Sequence, residues 1–184
     1  MKKRLKIAQI GVRHEHADGK MATMRTMPEE FEIVGICAES PADRETFGKR
    51  PCYEGLRWMS QEEILNYPGL DAVAVETEMT ELVPTAMRCA ERGLHMHMDK
   101  PGGENLEEFD RLLDLCRKNH VILQMAYMFR GNPAIQFCIE AARKGWFGQI
   151  FEVYTSMSRG RDNPQFRRWL STYRGGGIFL FGSH

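Results

Sequence analysis

Short apolar runs and amphipathic runs take turns along the first 125 or so residues, and their lengths decide what each becomes. Leu5 to Val12 is mostly apolar and predicts a strand, and Ala17 to Met27 has helical character until Pro28 stops it. Glu32 to Ala38 predicts a second strand and Pro41 to about Lys49 a second helix. A less regular piece follows, with Trp58 on a candidate short strand and Gln61 to Tyr67 as a helix. LDAVAV, residues 70–75, is apolar without clean alternation, as befits a strand covered on both faces. Thr80 is placed to cap a helix with Val83, Ala86, Met87 and Ala90 at helical spacing, and Gly93 sits where that helix should stop. LHMHMDKP then reads as a strand ended by Pro101. Asn105 with Glu108 forms a capping pair for a helix displaying Leu106, Phe109, Leu112, Leu113 and Cys116, and Val121 to Tyr127 returns to strand. Alternation of this kind predicts an α/β fold with a doubly wound parallel sheet, whose ligands bind at the carboxyl ends of the strands.

After about residue 125 the texture changes. Pro133 to Lys144 predicts a helix, Gly145 and Gly148 frame a turn, and Ile150 to Ser156 predicts a strand. RGRDNPQFRRWL and RGGGIFLFGSH follow. The expectation is a first domain over residues 1–124 and the incomplete start of a second over 125–184.

Composition narrows the function classes. Twenty-five basic residues balance twenty-five acidic ones, so neither nucleic acid nor a membrane is an expected partner. Cys37, Cys52, Cys89, Cys116 and Cys138 are widely spaced without a C-x-x-C pair, and read as reduced, buried thiols of a cytoplasmic protein. The start, MKKRLKIAQIGV, is too short in its apolar part for a signal peptide, and no run approaches the roughly 18 apolar residues of a membrane span.

The turn after the first strand, IGVRHEHADGK, carries the first candidate chemistry. In a G-x-G-x-x-G turn the first glycine permits the tight turn, the second lets backbone approach a pyrophosphate, and the third lets helix and strand pack. Gly11 fills the first role, but Arg13 and His16 occupy the second and third positions. An arginine there either obstructs a pyrophosphate or pairs with it. The helix amino terminus still favours an anion, so dinucleotide binding through Gly11, Val12, Arg13 and His14 is expected to persist. His14 and His16, with no third ligand in the neighbouring sequence, make a poor zinc site, and no metal is expected.

IGV, LDAVAVET, RGLHMHMDKP, MAYMFRGNPA, KGWFGQI and GGGIFLFGSH occur in an order and spacing that resembles the glucose-fructose oxidoreductase and inositol dehydrogenase (Gfo/Idh/MocA) family. The resemblance runs nearly end to end. It implies an amino-terminal Rossmann domain over 1–124 followed by the start of an α+β open-sheet domain over 125–184, NAD or NADP as cofactor, with NAD favoured by the negative charge of Glu39, a sugar, cyclitol or related polyol as substrate, and homo-oligomers formed through the carboxyl-terminal domain. Asp99-Lys100-Pro101 matches the family's Glu-Lys-Pro motif. By that match Lys100 holds the reacting hydroxyl and helps place the nicotinamide, and the Lys100–Pro101 bond is a candidate cis bond. Thr77, Asp99 and Pro101 join the expected cofactor contacts. Glu39, one residue past the end of the second strand, is the expected ribose ligand. His184 is the expected proton acceptor. The family's aspartate four residues earlier is replaced by Leu180, which puts ordinary dehydrogenase chemistry in question. His95 and His97 read as structural, while Tyr127, Arg130, Asn132, Arg161, Arg167, Arg168 and Trp169 are weaker candidates for substrate contact. Three functions stay open: a polyol oxidoreductase, a non-catalytic sugar- or nucleotide-binding regulator, and an enzyme using NAD transiently at a glycosidic bond.

Overall fold

The computed structural model describes residues 3–156 and 164–172, in two units, Met1–Ala126 and Tyr127–His184. The first unit contains strands β1 (Leu5–Ile10), β2 (Phe31–Cys37), β3 (Ala72–Val75), β4 (His95–Met98) and β5 (Leu123–Met125). All pair in parallel, in the order β2-β1-β3-β4-β5. Helices α1 (Ala17–Arg25), α2 (Pro41–Phe47), α3 (Gln61–Leu65), α4 (Leu82–Glu91) and α5 (Leu106–Lys118) lie on the crossovers that parallel pairing requires. Trp58 forms a single parallel bridge to Ile36 of β2. With that bridge counted as a vestigial strand, the sheet has the doubly wound Rossmann order, and the direction of winding reverses between β1 and β3, where such sheets open a crevice.

Most helix starts have a local cause. The Ser40 hydroxyl accepts from the Asp43 N–H ahead of α2, and Ser60 and Glu63 form a reciprocal capping box on α3. Asn105 accepts from the Glu107 and Glu108 N–H groups at α5, as its sequence position predicts. Thr80 does not cap α4. A 3-10 turn over Met79–Glu81 intervenes, the Glu81 N–H is taken by the Glu78 carbonyl at 2.9 Å, and α4 starts at Leu82. Gly93, at φ +70°, ends α4 in the left-handed conformation expected there.

The strand period of two sorts the sheet into faces. Ile7, Ile36 and Ala74 pack with Met21 and Met24 of α1 and with Val12 and Tyr53 in one core. Ala8, Ile10, Val73 and Val75 point to the opposite face, and the buried Leu82, Val83, Ala86, Cys89 and Ala90 of α4 and Leu112 and Cys116 of α5 belong to the helices expected there. The first face also carries polar residues in register, Gln9 beside Ala74 and Ala74 beside His97. The expectation of five buried thiols is corrected: Cys37, Cys89 and Cys116 are buried, Cys52 is half-buried and Cys138 exposed. Burial pushes the Cys89 thiol up to about 12 and Cys37 to about 11.

In the second unit α6 (Pro133–Arg143) begins at Asn132, whose side chain accepts from the Ala134 and Ile135 N–H groups. Asn132 is therefore a helix cap. Residues 151–156 form no strand, which corrects the expectation for Ile150 to Ser156. A strand exists only through a partner, and among the described residues none pairs with this run, so Phe151 and Tyr154 stand 93% and 85% exposed. Arg167 and Arg168 are exposed on α7 (Pro164–Leu170). Arg161 and His184 lie outside the described residues, as does the side chain of Trp169. Among the described residues no helix is long and apolar enough to cross a membrane.

Gly11 fixes the turn on which the site is built. Its φ is +105°, and a Cβ there would lie 2.3 Å from the Glu76 carbonyl carbon and 2.4 Å from the Thr77 nitrogen. Gly11→Ala combines left-handed strain with a backbone clash and should cost roughly 2–5 kcal/mol in chemical denaturation; a loss below about 1 kcal/mol would show that the turn relaxes.

Candidate active site

A crevice of about 700 Å³ opens at the carboxyl ends of the strands, lined among others by Ile10, Glu39, Arg44, Thr77 and Arg88. Glu39 turns back toward the glycine turn. Its carboxylate accepts from the Val12 N–H at 3.1 Å and the Arg13 N–H at 3.4 Å. Burial raises its pKa against the pull of these bonds. Arg13 reaches across to acids on either side, its Nη2 3.0 Å from Glu78 and its Nε 3.8 Å from Asp43. The guanidinium thus has carboxylate partners of its own. Thr77 is buried and its hydroxyl donates to the Glu78 carbonyl.

Beside this crevice, under the first turn of α1, lies a cluster of buried charge. Glu76 follows β3 and Asp99 follows β4, so the register that pairs Val75 with Met98 sets the two carboxylates at adjacent strand ends, both fully buried. The loop that replaces a plain glycine turn closes over them with two histidines. His16 Nδ1 donates to Asp99 at 3.1 and 3.2 Å. His14 Nε2 lies 3.1 Å from the Lys100 carbonyl, and its Nδ1 receives the His16 backbone N–H at 3.3 Å. A carbonyl only accepts and a backbone N–H only donates, so the proton on His14 belongs on Nε2. Its bare Nδ1 faces Asp99 at 3.7 Å and Glu76 at 3.9 Å. From α1, Lys20 Nζ approaches Asp99 at 3.7 Å, Glu76 at 3.8 Å and His97 Nε2 at 2.5 Å.

These neighbours set the charges. Burial, and then the charge of Asp99, hold the Glu76 carboxyl well above the usual range. Burial acts on Asp99 in the same sense, but the His16 hydrogen bond and the surrounding cationic groups outweigh it and hold that carboxyl well below its ordinary value. Burial lowers His14 and, with Lys20, lowers His97, so both rings are neutral near pH 7. One carboxylate ionised and one protonated is the expected state of two carboxyls in so small a buried volume.

Lys100 is also fully buried, ahead of a cis bond to Pro101. Its Nζ lies 3.5 Å from Glu15, and Glu15 lies 3.4 Å from His16 Nε2. The expected site residues therefore divide between two places. Gly11, Val12, Arg13, Glu39 and Thr77 gather at the crevice, and His14, Asp99, Lys100 and Pro101 at the buried cluster. His14, expected at the dinucleotide turn, is buried, because the loop folds its ring inward. The sequence reading does not single out Gln9, Lys20 or Glu76, whereas His97, read as structural, is hydrogen-bonded to Lys20. The legible signal was a pair of acids, Glu76 and Asp99, each immediately after an inner apolar strand.

A model of an oxidoreductase family with an NAD-binding Rossmann fold, Gfo/Idh/MocA, matches residues 5–127. Over 154 residues the chain is 30% identical to the "Uncharacterized oxidoreductase ORF334" of Rhizobium meliloti, covering 84% of this chain and 46% of that protein. The chain thus spans less than half the length of this curated relative. Among solved structures, scyllo-inositol dehydrogenase from Lactobacillus casei with bound NAD(H) and scyllo-inositol superposes with a TM-score of 0.68 at 15% identity, over 79% of this chain and 43% of that one. The WlbA dehydrogenase from Bordetella pertussis in complex with NADH and UDP-GlcNAcA gives 0.66 at 22% identity, over 81% and 45%. These two likenesses establish the fold.

The lowered pKa of His14 sets a pH dependence. Its folded-state pKa is depressed below 6.5, so between those values the unfolded chain binds a proton that the folded chain does not. The contribution is fully present above about pH 6.5 and is lost as pH falls. His14→Gln should flatten the decline of denaturation free energy between about pH 7 and 5, a slope that one proton limits to about 1.4 kcal/mol per pH unit. Parallel pH profiles for both proteins would contradict the buried neutral ring.

Proposed function

Because the chain belongs to the Gfo/Idh/MocA oxidoreductase family with its NAD-binding Rossmann fold, we propose that it binds a nicotinamide dinucleotide in the crevice at the β1/β3 switch point and serves hydride transfer on a sugar, cyclitol or related polyol. The observation that carries this reading is the fully buried Lys100 at the carboxyl end of β4, within one unit of the crevice.

The residues present fit such a group. The crevice volume lies within the range of small-molecule and cofactor sites. Glu39 stands where ribose hydroxyls can donate to it, and when they do, the Val12 and Arg13 N–H groups that it now holds become free for a pyrophosphate. Its negative charge opposes a 2′-phosphate and favours NAD over NADP. The bound nicotinamide supplies the hydride acceptor. Lys100 holds the substrate oxygen through its ammonium, with Glu15 fixing the position of that ammonium. His184 takes the hydroxyl proton. Assembly through the carboxyl-terminal domain and a cytoplasmic location accompany this reading. The polyol class draws support from relatives that act on scyllo-inositol or bind a UDP-sugar.

A second reading, nucleotide binding without turnover, is favoured by one observation: Arg13 and the loop N–H groups already have acidic partners. Calorimetric titration with NADH and NADPH, followed by a polyol panel read at the nicotinamide absorbance band, distinguishes the two. NADH should bind at least about tenfold more tightly than NADPH, a difference of about 1.4 kcal/mol. Lys100→Met should keep coenzyme affinity within a few fold while lowering polyol-dependent reduction by at least about 100-fold. Heat with NADH but no reduction by any polyol supports the second reading; no heat with either coenzyme overturns both.

A further inference from the structure

The cluster under α1 contains more lone pairs than protons to place between them. We propose that His14, His16, Asp99 and Glu76 form a binding site for one divalent transition-metal ion of the zinc class. The site does not depend on the coenzyme reading, because none of its donors lines the crevice, although family resemblance counts His14 and Asp99 among the cofactor contacts.

Four observations carry the proposal. The first is geometric. Ligand atoms offered by His14, His16 and Asp99 all lie within 4.8 Å of one another. His16 Nδ1 and His14 Nδ1 stand 3.1 and 3.7 Å from Asp99 oxygens, and Glu76 Oε2 stands 3.9 Å from His14 Nδ1. Donors about 2.0–2.1 Å from a tetrahedral ion lie roughly 3.3–3.4 Å apart, and these three separations lie within about 0.6 Å of that spacing.

The second is Glu76 itself. It is fully buried, and neither of its carboxylate oxygens has a hydrogen-bond partner. A buried carboxylate without hydrogen bonds is rare in native proteins and points to an ion or water at that place. Lys20 pairs with Glu76 only as a charge, its Nζ 3.8 Å away and beyond hydrogen-bond distance, and makes its short contact to His97.

The third is the outer shell. Metal-bound imidazoles hold their second nitrogen on a carbonyl or carboxylate, which fixes the tautomer and the ring. His14 Nε2 donates to the Lys100 carbonyl at 3.1 Å, leaving Nδ1 bare toward the carboxylates. His16 Nε2 lies 3.4 Å from the Glu15 carboxylate, which accepts from it once the ring proton moves from Nδ1 to Nε2 on binding the ion. The fourth is chemical: two imidazoles and, once Glu76 releases its proton to solvent on binding, two carboxylates match the donor preference of zinc and its neighbours and balance the charge of a divalent ion. His16, a third exposed, provides the opening to solvent.

The test uses the whole chain, stripped with a chelator and titrated with cobalt(II) and then zinc(II). One equivalent of cobalt should give the intense visible d–d bands of a four- or five-coordinate site without a thiolate charge-transfer band, and zinc should displace it. His16→Ala and Glu76→Gln should each weaken binding by more than the roughly 10- to 100-fold that loss of an outer hydrogen-bond partner costs. His120→Ala, remote from the cluster in sequence and on the turn after α5, should leave it unchanged. X-ray absorption of the zinc-loaded wild-type chain should show two imidazole scatterers and oxygen at about 2.0–2.1 Å, a readout that stands even if a variant fails to fold. No binding, affinity indifferent to both cluster substitutions, a thiolate band, or fewer than two imidazoles would each overturn the proposal.

Discussion

Two carboxyl groups buried at the ends of neighbouring strands impose the constraint around which this domain is arranged. Parallel pairing of β3 with β4 in the observed register brings Glu76 and Asp99 together, and neither reaches water. A second buried charge beside the first is costly without a proton or cation to balance it. The protein answers with the loop that follows β1. Where a dinucleotide turn would present bare glycine backbone, this chain places His14 and His16 over the carboxylates and brings Lys20 up from the next helix. The departure from the glycine pattern and the acidic pair are thus two halves of one arrangement.

The same arrangement joins the cluster to the crevice. The His14 N–H group from the loop and the Asp99 carboxylate both bond the backbone of Lys100, at its carbonyl and its N–H respectively. Glu15 links the Lys100 side chain to His16. These contacts that hold Lys100 thus also involve the groups that hold the buried carboxylates. On the other side of Gly11, Glu39 and Arg13 hold the turn by contacts that a dinucleotide would rearrange.

The sequence made the succession of elements plain because inner parallel strands are short continuous apolar runs, and LDAVAV and LHMHM could be little else. Asn105 announced its helix because an Asn cap accepts from the N–H groups two and three residues on, here those of Glu107 and Glu108. Thr80 misled because it lies inside the 3-10 turn Met79–Glu81, and α4 begins only at Leu82. Residues 150–156 misled for a deeper reason: an apolar run specifies a face to be covered but not the strand that covers it. At the site, Gly11, Glu39 and Lys100 were readable from their positions at strand ends. Glu76 and Lys20 were not, since their importance comes from a register between strands and a helix face that only folding brings together. The pairing of His16 with Asp99, 83 positions apart, belongs to the same class.

The central claim is that the His14 ring is held neutral with its proton on Nε2 and its Nδ1 bare toward Asp99 and Glu76. Long-range nitrogen–carbon-bound-proton correlation spectra of the chain labelled with nitrogen-15 histidine report this directly, and substitution of His14 assigns the signal. The account predicts the pattern of an Nε2–H tautomer for His14 at neutral pH, persisting when other histidines protonate on acidification. An imidazolium pattern at neutral pH, or a proton on Nδ1, would contradict it.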